Sequence, residues 1–130
     1  MFTIEQIKAA HSKVKSGADF PAYVKDLKKL GVLYYDHFVS DGHTSYFGNS
    51  GLSLSGDAKY PEMEVAKKAS LTELQNALKI HQAGKTDYPT FCRQAVESGV
   101  EKWKVNMIGM TCIYYDLAGN EMLTEQIPDV

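Results

Sequence analysis

The sequence predicts an α+β domain that is an internal duplication of a helix–helix–hairpin unit, with one antiparallel sheet and the helices packed on one face of it. Three observations predict this class: two pairs of amphipathic helical segments, aromatic and β-branched stretches around short turns after each pair, and a similarity between the two halves of the chain. Each unit alone would expose an apolar sheet face, and two units can cover each other. We therefore expect a single domain over residues 1–130, with repeats over about 3–69 and about 70–130.

The two halves are similar at residues that determine backbone geometry. The segment ADFPAYVKDLKKLGV at 18–32 corresponds to TDYPTFCRQAVESGV at 86–100, and both place Asp, an aromatic residue and Pro before a helix and Gly-Val after it. Flanking pairs extend the correspondence: Thr3 with Ser70, Gly17 with Gly84, Tyr35 with Trp103, and Tyr46 with Tyr114. Because Asp can cap a helix and Pro fits its first turn, we favour a structural role for Asp19 and Asp87 over a catalytic one.

Four helices are predicted from caps, stops and periodicity. Thr3 and Gln6 have the spacing of a capping box that starts the first helix, and Gly17 should end it. The other three helices are expected from Asp19 to Gly31, from Ser70 to Gly84, and from Thr86 or Asp87 to Gly99. Apolar residues recur at helical spacing in these segments, so each helix should present one stripe to a core.

The first half continues into a predicted hairpin and a long loop. Asp41-Gly42 lies between β-branched and aromatic residues, which is typical of a two-residue hairpin turn and would pair His37 with Tyr46. The Gly- and Ser-rich residues 48–60 predict a loop with a short strand at residues 52–54. Residues 61–68 fit either a strand or the start of a helix, and the pattern does not distinguish the two.

The second half ends in a predicted meander of three strands, with turns near residues 108–110 and at residues 117–120. One side of its first hairpin is continuous and apolar and should face the core; its residues are Trp103, Val105, Met107, Cys112 and Tyr114. The opposite side carries Lys102, Lys104 and Asn106, which we expect to be solvated.

Composition excludes several classes of function. The chain has 130 residues, 44% of them apolar, and a formal charge of −2 with interspersed signs, which argues against a nucleic-acid partner. No apolar stretch approaches the roughly 20 residues of a membrane span, and the N-terminus does not have the pattern of a signal peptide, so we expect a cytoplasmic protein. Cys92 and Cys112 fit neither a disulfide framework nor a zinc site, and no nucleotide or metal motif occurs, so we expect no metal and no cofactor.

His37, Cys112 and Tyr46 are the candidate catalytic residues. His37 should lie on the core side beside Tyr46, either as a buried neutral imidazole bonded to a phenol or as a polar group that orients a ligand or transfers a proton. Cys112 lies in the middle of a strand with no predicted base nearby, so an inert core thiol is favoured over a nucleophile. The candidate ligand-binding residues are Tyr35, His37, Tyr46, Trp103 and Tyr114.

Two stretches carry a resemblance to a known family. The run GKTDYPTFCRQAVESGVEKWKVNMIGMTCIYYDLAGNEMLTEQIP, with DGHTSYFG upstream of it, resembles the domain-of-unknown-function family 1398, a group of short bacterial proteins that are often labelled phage-envelope-like. The resemblance spans nearly the whole chain. It implies a stand-alone cytoplasmic protein of about this length, and it brings no activity, cofactor or catalytic residue with it.

These features lead to three hypotheses of function. The first is a non-enzymatic small-molecule- or protein-binding or regulatory module, acting as a homodimer, because aromatic residues on an outer sheet face would be suited to a partner. The aromatic residues of the predicted sheet are Tyr34, Tyr35, Tyr46, Phe47, Trp103, Tyr114 and Tyr115. The second is a small enzyme that uses His37 with Tyr46 or Cys112 in a pocket under the 48–60 loop. The third is a phage- or stress-related interaction protein.

Overall fold

A computed structural model describes residues 2–14 and 19–127 of the chain. In chain order the elements are α1 (Ile4–His11), α2 (Phe20–Leu30), β1 (Tyr34–Phe38), β2 (His43–Phe47), a 3-10 turn (Asn49–Gly51), β3 (Ser53–Ser55), α3 (Leu71–Gln82), α4 (Tyr88–Glu97), β4 (Val100–Asn106), β5 (Thr111–Asp116) and β6 (Glu121–Gln126). The predicted α+β class is confirmed, with four helices and one antiparallel sheet in the order β3-β2-β1-β4-β5-β6.

The core lies between the helices and one face of the sheet, which we call the inner face. The predicted core side of the second hairpin is confirmed, because Val105 and Met107 are fully buried and their three companions nearly so. Helix residues such as Leu27, Leu74 and Ala95 are equally buried in the same cluster. Among residues 2–14 and 19–127, the opposite, outer face of the sheet contributes no apolar residue to this buried cluster.

Helix starts follow the predicted caps with one exception. Thr3 and Gln6 form the capping box, Ser70 accepts from the amide of Glu73, and Asp87 accepts from the amide of Thr90 at 2.8 Å. The prediction that Asp19 caps α2 is wrong: its backbone is already helical (φ −86°, ψ −6°), whereas a capping side chain reaches the first amides from an extended residue.

The first helix is shorter than the sequence predicts. Helix α1 ends at His11, and the hydroxyl of Ser12 donates to the carbonyl oxygen of Ala9 at 2.6 Å. Such a side-chain bond competes with the backbone ladder of a helix. The predicted stop, Gly17, lies outside the described residues.

The predicted pairing of His37 with Tyr46 is wrong by two residues. Strands β1 and β2 pair Tyr35 with Tyr46 and His37 with Thr44, so the connection is the four residues 39–42. The reason is tertiary: Val39 is fully buried and donates its amide to the carbonyl of Glu101, which keeps it in line with β4. Because the error is an even number of residues, His37 and Tyr46 still lie on the same face.

Residues 61–68, which the pattern left open, form neither a strand nor a helix. They belong to a segment that crosses the β1–β2 connection and reaches the end of α4. Its backbone amides at Lys59 and Met63 donate to the carbonyls of Asp41 and Ser40, and the amide of Ala66 donates to Val96. The short strand before this segment is Ser53–Ser55, one residue later than predicted.

The two halves contribute to the sheet in equivalent positions. Each half supplies two helices and three strands, with β1 and β4 at the centre and β3 and β6 at the edges. Adding 68 residues to the pair Tyr35–Tyr46 gives the observed pair Trp103–Tyr114, and the connection at residues 39–42 becomes that at residues 107–110.

Gly99 offers a test of the packing between the segment before α3 and the end of α4. Its φ is +94°, and a Cβ there would lie 2.7 Å from the Cα of Ala69. Gly119 has a similar φ of +82° but open space around it. We expect Gly119→Ala to lose roughly 1–2 kcal/mol of unfolding free energy from backbone strain alone, and Gly99→Ala to lose roughly 1–3 kcal/mol more from the steric clash. Urea denaturation measures both; equal losses in the two variants would contradict this packing.

Candidate functional site

His37 lies on the inner face of β1 with both ring nitrogens engaged. Its Nδ1 is 2.8 Å from Thr44 Oγ1, and its Nε2 is 3.1 Å from the hydroxyl of Tyr88. The ring lies 4.8 Å from that of Trp103 on the neighbouring strand. The sequence predicted Tyr46 or Cys112 as its partner, and the structure places Thr44 and Tyr88 there instead.

Tyr88 reaches His37 from the first turn of α4. Residue 88 is 47% exposed, yet its hydroxyl is turned inward to His37. Asp87 fixes the start of this helix through its cap bond, and Pro89 occupies the first turn. The Asp–aromatic–Pro motif therefore does more than start a helix, because its aromatic residue, Tyr88, also contacts the imidazole of His37.

The environment of His37 keeps its imidazole neutral at physiological pH. The pKa of His37 is lowered to about 4, chiefly by burial, with smaller contributions from the nearby charges of His43 and His11, while the charge of Asp41 opposes the change. A neutral imidazole carries one N–H, so one ring nitrogen donates a hydrogen bond and the other accepts one. The pair of neighbours, Thr44 and Tyr88, can serve either tautomer because a hydroxyl donates or accepts.

The five predicted ligand-binding residues come together as one row of rings on the inner face. Ring centroids are 5.6 Å apart for Tyr35 and Tyr46, 4.8 Å for His37 and Trp103, and 5.7 Å for Trp103 and Tyr114. Tyr35, Trp103 and Tyr114 are buried, and the other two are partly buried. Tyr114 donates its hydroxyl to Glu125 Oε1 at 2.9 Å, which satisfies the buried phenol. The row is thus packed as core.

Both cysteines are free thiols in the core. Burial raises the pKa of the Cys112 thiol to about 12, and a hydrogen bond to Tyr114 opposes the rise. Burial also raises the pKa of Cys92, and hydrogen bonds to the hydroxyls of Tyr60 and Tyr88 partly oppose this rise. Both thiols are therefore protonated at neutral pH and weakly nucleophilic.

The outer face of the sheet is aromatic rather than simply polar. Tyr34 stacks on Phe47, and Phe38 stacks on His43, each pair with centroids 4.5 Å apart. Lys104 Nζ lies 4.7 Å from the ring centroid of Tyr34. This corrects the expectation that the lysines of this face are solvated, because their ammonium groups lie over aromatic rings and both residues are only partly exposed.

Asp36 lies at the centre of this outer face and was missed by the sequence reasoning. The residue is 8% exposed, and its Oδ2 is 3.5 Å from Lys102 Nζ, which also lies over the rings of Phe38 and Tyr115. Its Oδ1 is buried and has no hydrogen-bond partner among the described residues. An available signal was the alternation of Tyr34, Asp36 and Phe38 on the side opposite the predicted core.

Two concave regions stand out in the part of the chain that the structure describes, and Tyr46 of the inner row borders the first of them. A cleft of about 40 Å³ between α1, β2 and the segment after β3 is lined by Ile4, Ile7, Lys8, Thr44, Tyr46, Gly56 and Lys59. This is the edge of the 48–60 segment at which the sequence predicted a site. An open groove of about 440 Å³ between α3 and α4 has Glu73, Ile80, Gln94 and Glu97 among its lining residues.

Residues 2–14 and 19–127 contain neither a metal-binding cluster nor a membrane-spanning helix. No group of three or more His, Cys, Asp or Glu side chains in this part of the chain could hold a metal ion. None of the helices there has the length and apolar composition to cross a membrane.

Comparison with known proteins agrees with the resemblance in the sequence. The comparison with curated proteins gives no match. A scan against family models matches residues 8–126, nearly the whole chain, to a family described as proteins of unknown function. The chain therefore belongs to the family DUF1398.

Proposed function

We propose that this chain is a non-enzymatic binding module whose working surface is the outer face of the sheet. The observation that carries this proposal is Asp36, a buried carboxylate with one oxygen unpartnered among the described residues, amid partly exposed aromatic rings. The residues on a sheet face in contact with water are usually polar, so an aromatic face indicates a partner. An unsatisfied buried acceptor costs free energy, which a hydrogen bond from a partner's donor would recover. Aromatic rings are among the groups that contribute most to binding surfaces.

We further propose that the occupant of the outer face is a second copy of the chain. The face carries both signs of charge, with Lys102 and Lys104 beside Asp36 and Glu121, so it can complement itself across a twofold axis. Five strands of five or more residues and one of three, at about 4.8 Å spacing and about 3.3 Å per residue, give a face of roughly 450 Å² per copy. Two such faces approach the roughly 1,000 Å² that specific interfaces exceed.

Sedimentation of outer-face variants tests this proposal. We expect the wild type to sediment as a dimer, and Tyr34→Ser or Phe47→Ser to weaken dimerisation by about 100-fold, because each removes one ring of a stacked pair at the interface. Ile80→Ser is the matched control, since it removes a partly exposed apolar side chain from α3, on the other side of the sheet.

Analytical ultracentrifugation over a concentration series measures the equilibrium, and circular dichroism checks that each variant is folded. A monomeric wild type at all concentrations, or an equal effect of Ile80→Ser, would refute the second copy as occupant.

The contacts of His37 favour a structural role over the enzyme alternative. A general base needs a ring nitrogen within reach of substrate, and both nitrogens of His37 face protein hydroxyls. The alternative nucleophile, Cys112, is a protonated core thiol. These observations support a structural rather than a catalytic role for the inner row of rings.

A structural, neutral His37 predicts a specific dependence of stability on pH. Its pKa is lowered to about 4 in the folded state, below the ordinary value near 6.5, so its contribution is present above pH 6.5 and is lost as pH falls towards 4. We expect a loss of about 2–3 kcal/mol over this range in the wild type, and a correspondingly smaller loss in His37→Gln.

Denaturant unfolding at several pH values measures the unfolding free energies of the two proteins. The carboxylates contribute equally to both, so their contribution cancels in the difference. His11→Gln, at an exposed histidine on α1, is the control and should stay close to the wild type, because the charge of His11 is the smallest of the effects that lower the pKa of His37. If the unfolding free energy of His37→Gln depended on pH as steeply as that of the wild type, this would argue against a neutral His37.

We also propose that the fold is an internal duplication of its helix–helix–hairpin unit. The support is the register: hairpin pairs, connection lengths and strand order of the two halves correspond at an offset of 68 residues. In a crystal structure we expect β1 and β2 to superimpose on β4 and β5 at this offset together with the preceding helices. Helices that diverge when the strands are superimposed would refute the duplication.

A further inference from the structure

We propose that the cleft between α1, β2 and the segment after β3 binds the phosphoryl group of a small molecule. The cleft is lined by Lys8 and Lys59, which each carry an ammonium group, and by Thr44 and Tyr46, which each carry a hydroxyl. No Asp or Glu lines the cleft, and neither lysine forms an ion pair within residues 2–14 and 19–127. Two positive charges match the charge of nearly −2 on a phosphate monoester at neutral pH, and hydroxyls supply directed donors to its oxygens.

The size of the cleft restricts the ligand to its charged head group. The cavity volume is about 40 Å³, whereas one water needs about 10–15 Å³ and a site for a whole drug-sized molecule about 300–1,000 Å³. The remainder of the molecule would stay in solvent. Ile4 and Ile7 form the apolar side of the cleft, which limits the access of water and so strengthens the attraction between the ammonium groups and the anion.

The cleft is connected to α4 by a chain of hydrogen bonds. Thr44 Oγ1 lies 2.8 Å from His37 Nδ1, and His37 Nε2 lies 3.1 Å from the hydroxyl of Tyr88. When the Thr44 hydroxyl donates to a bound anion, it has to accept from His37, which places the imidazole proton on Nδ1. Nε2 then accepts from Tyr88, so three hydrogen bonds point in one direction towards the anion and reinforce one another. The ligand therefore selects one tautomer of His37.

Titration of the full-length protein with inorganic phosphate tests the site. At constant ionic strength we expect calorimetry to show binding that Lys8→Gln and Lys59→Gln each weaken about tenfold. Lys29→Gln, at an exposed lysine of α2, should leave the affinity unchanged. Acetate, with one charge, should bind at least tenfold more weakly than phosphate. Because both cleft lysines are exposed, their variants should fold. The phosphate affinity of either variant alone is enough to test the site.

The tautomer of His37 provides a second readout, by nitrogen-15 NMR of the imidazole. We expect saturation with phosphate to place the proton on Nδ1 in the wild type and in Thr44→Ser, and Thr44→Val to lose this response while it still binds phosphate. The proposal is overturned by any of four results: no binding of phosphate by the wild type, equal weakening in Lys29→Gln, equal affinity for acetate, or a proton on Nε2 in the saturated protein. None of these outcomes depends on the outer face.

Discussion

The pairing of β1 with β4 is the constraint on which both surfaces of this protein depend. It joins the two halves of the chain at the centre of the sheet, with Tyr35 opposite Val105 and His37 opposite Trp103. A shift of this register by one residue would move every side chain to the other face. The burial of Val105 and Met107 on the inner face opposes such a shift, so the same apolar contacts that form the core also determine which residues reach the outer face.

This register also creates the surroundings of His37. Trp103 lies beside the imidazole because β4 is the neighbour of β1, Thr44 lies beside it because of the β1–β2 pairing, and Tyr88 reaches it because α4 packs on the inner face. Each neighbour removes water from the ring, and desolvation disfavours the charged imidazolium. Two hydroxyls then satisfy both ring nitrogens, so the neutral form is buried without an unpaired polar atom.

Signals between neighbouring residues predicted the helix caps. The β1–β2 connection was predicted wrongly because it depends on contacts with residues far away in the sequence. Each of the caps at Thr3, Ser70 and Asp87 involves only four consecutive residues, so the sequence predicted them. The connection at residues 39–42 is held by amides of Lys59 and Met63, about twenty residues away, and no turn motif contains that information.

The candidate site was predictable only in part, for the same reason. The alternation of residues placed His37, Tyr46 and Trp103 on one face correctly, because alternation is a property of the strand itself. The contact of Tyr88 with His37 depends on how α4 packs across 51 residues of sequence, which periodicity does not specify. Asp36 was missed because its burial comes from Lys102 and the rings of the outer face.

The alternation of β1 also separates two groups that would otherwise change each other's chemistry. Asp36 and His37 are adjacent in sequence, and their side chains lie on opposite faces of the sheet. On one face they would form a carboxylate–imidazole pair, which favours the protonated imidazole and satisfies the carboxylate. The strand prevents this, and the carboxylate that acts on His37 is that of Asp41 in the hairpin connection. The outer face therefore keeps an acceptor oxygen without a partner, while the inner face keeps a neutral imidazole between two hydroxyls.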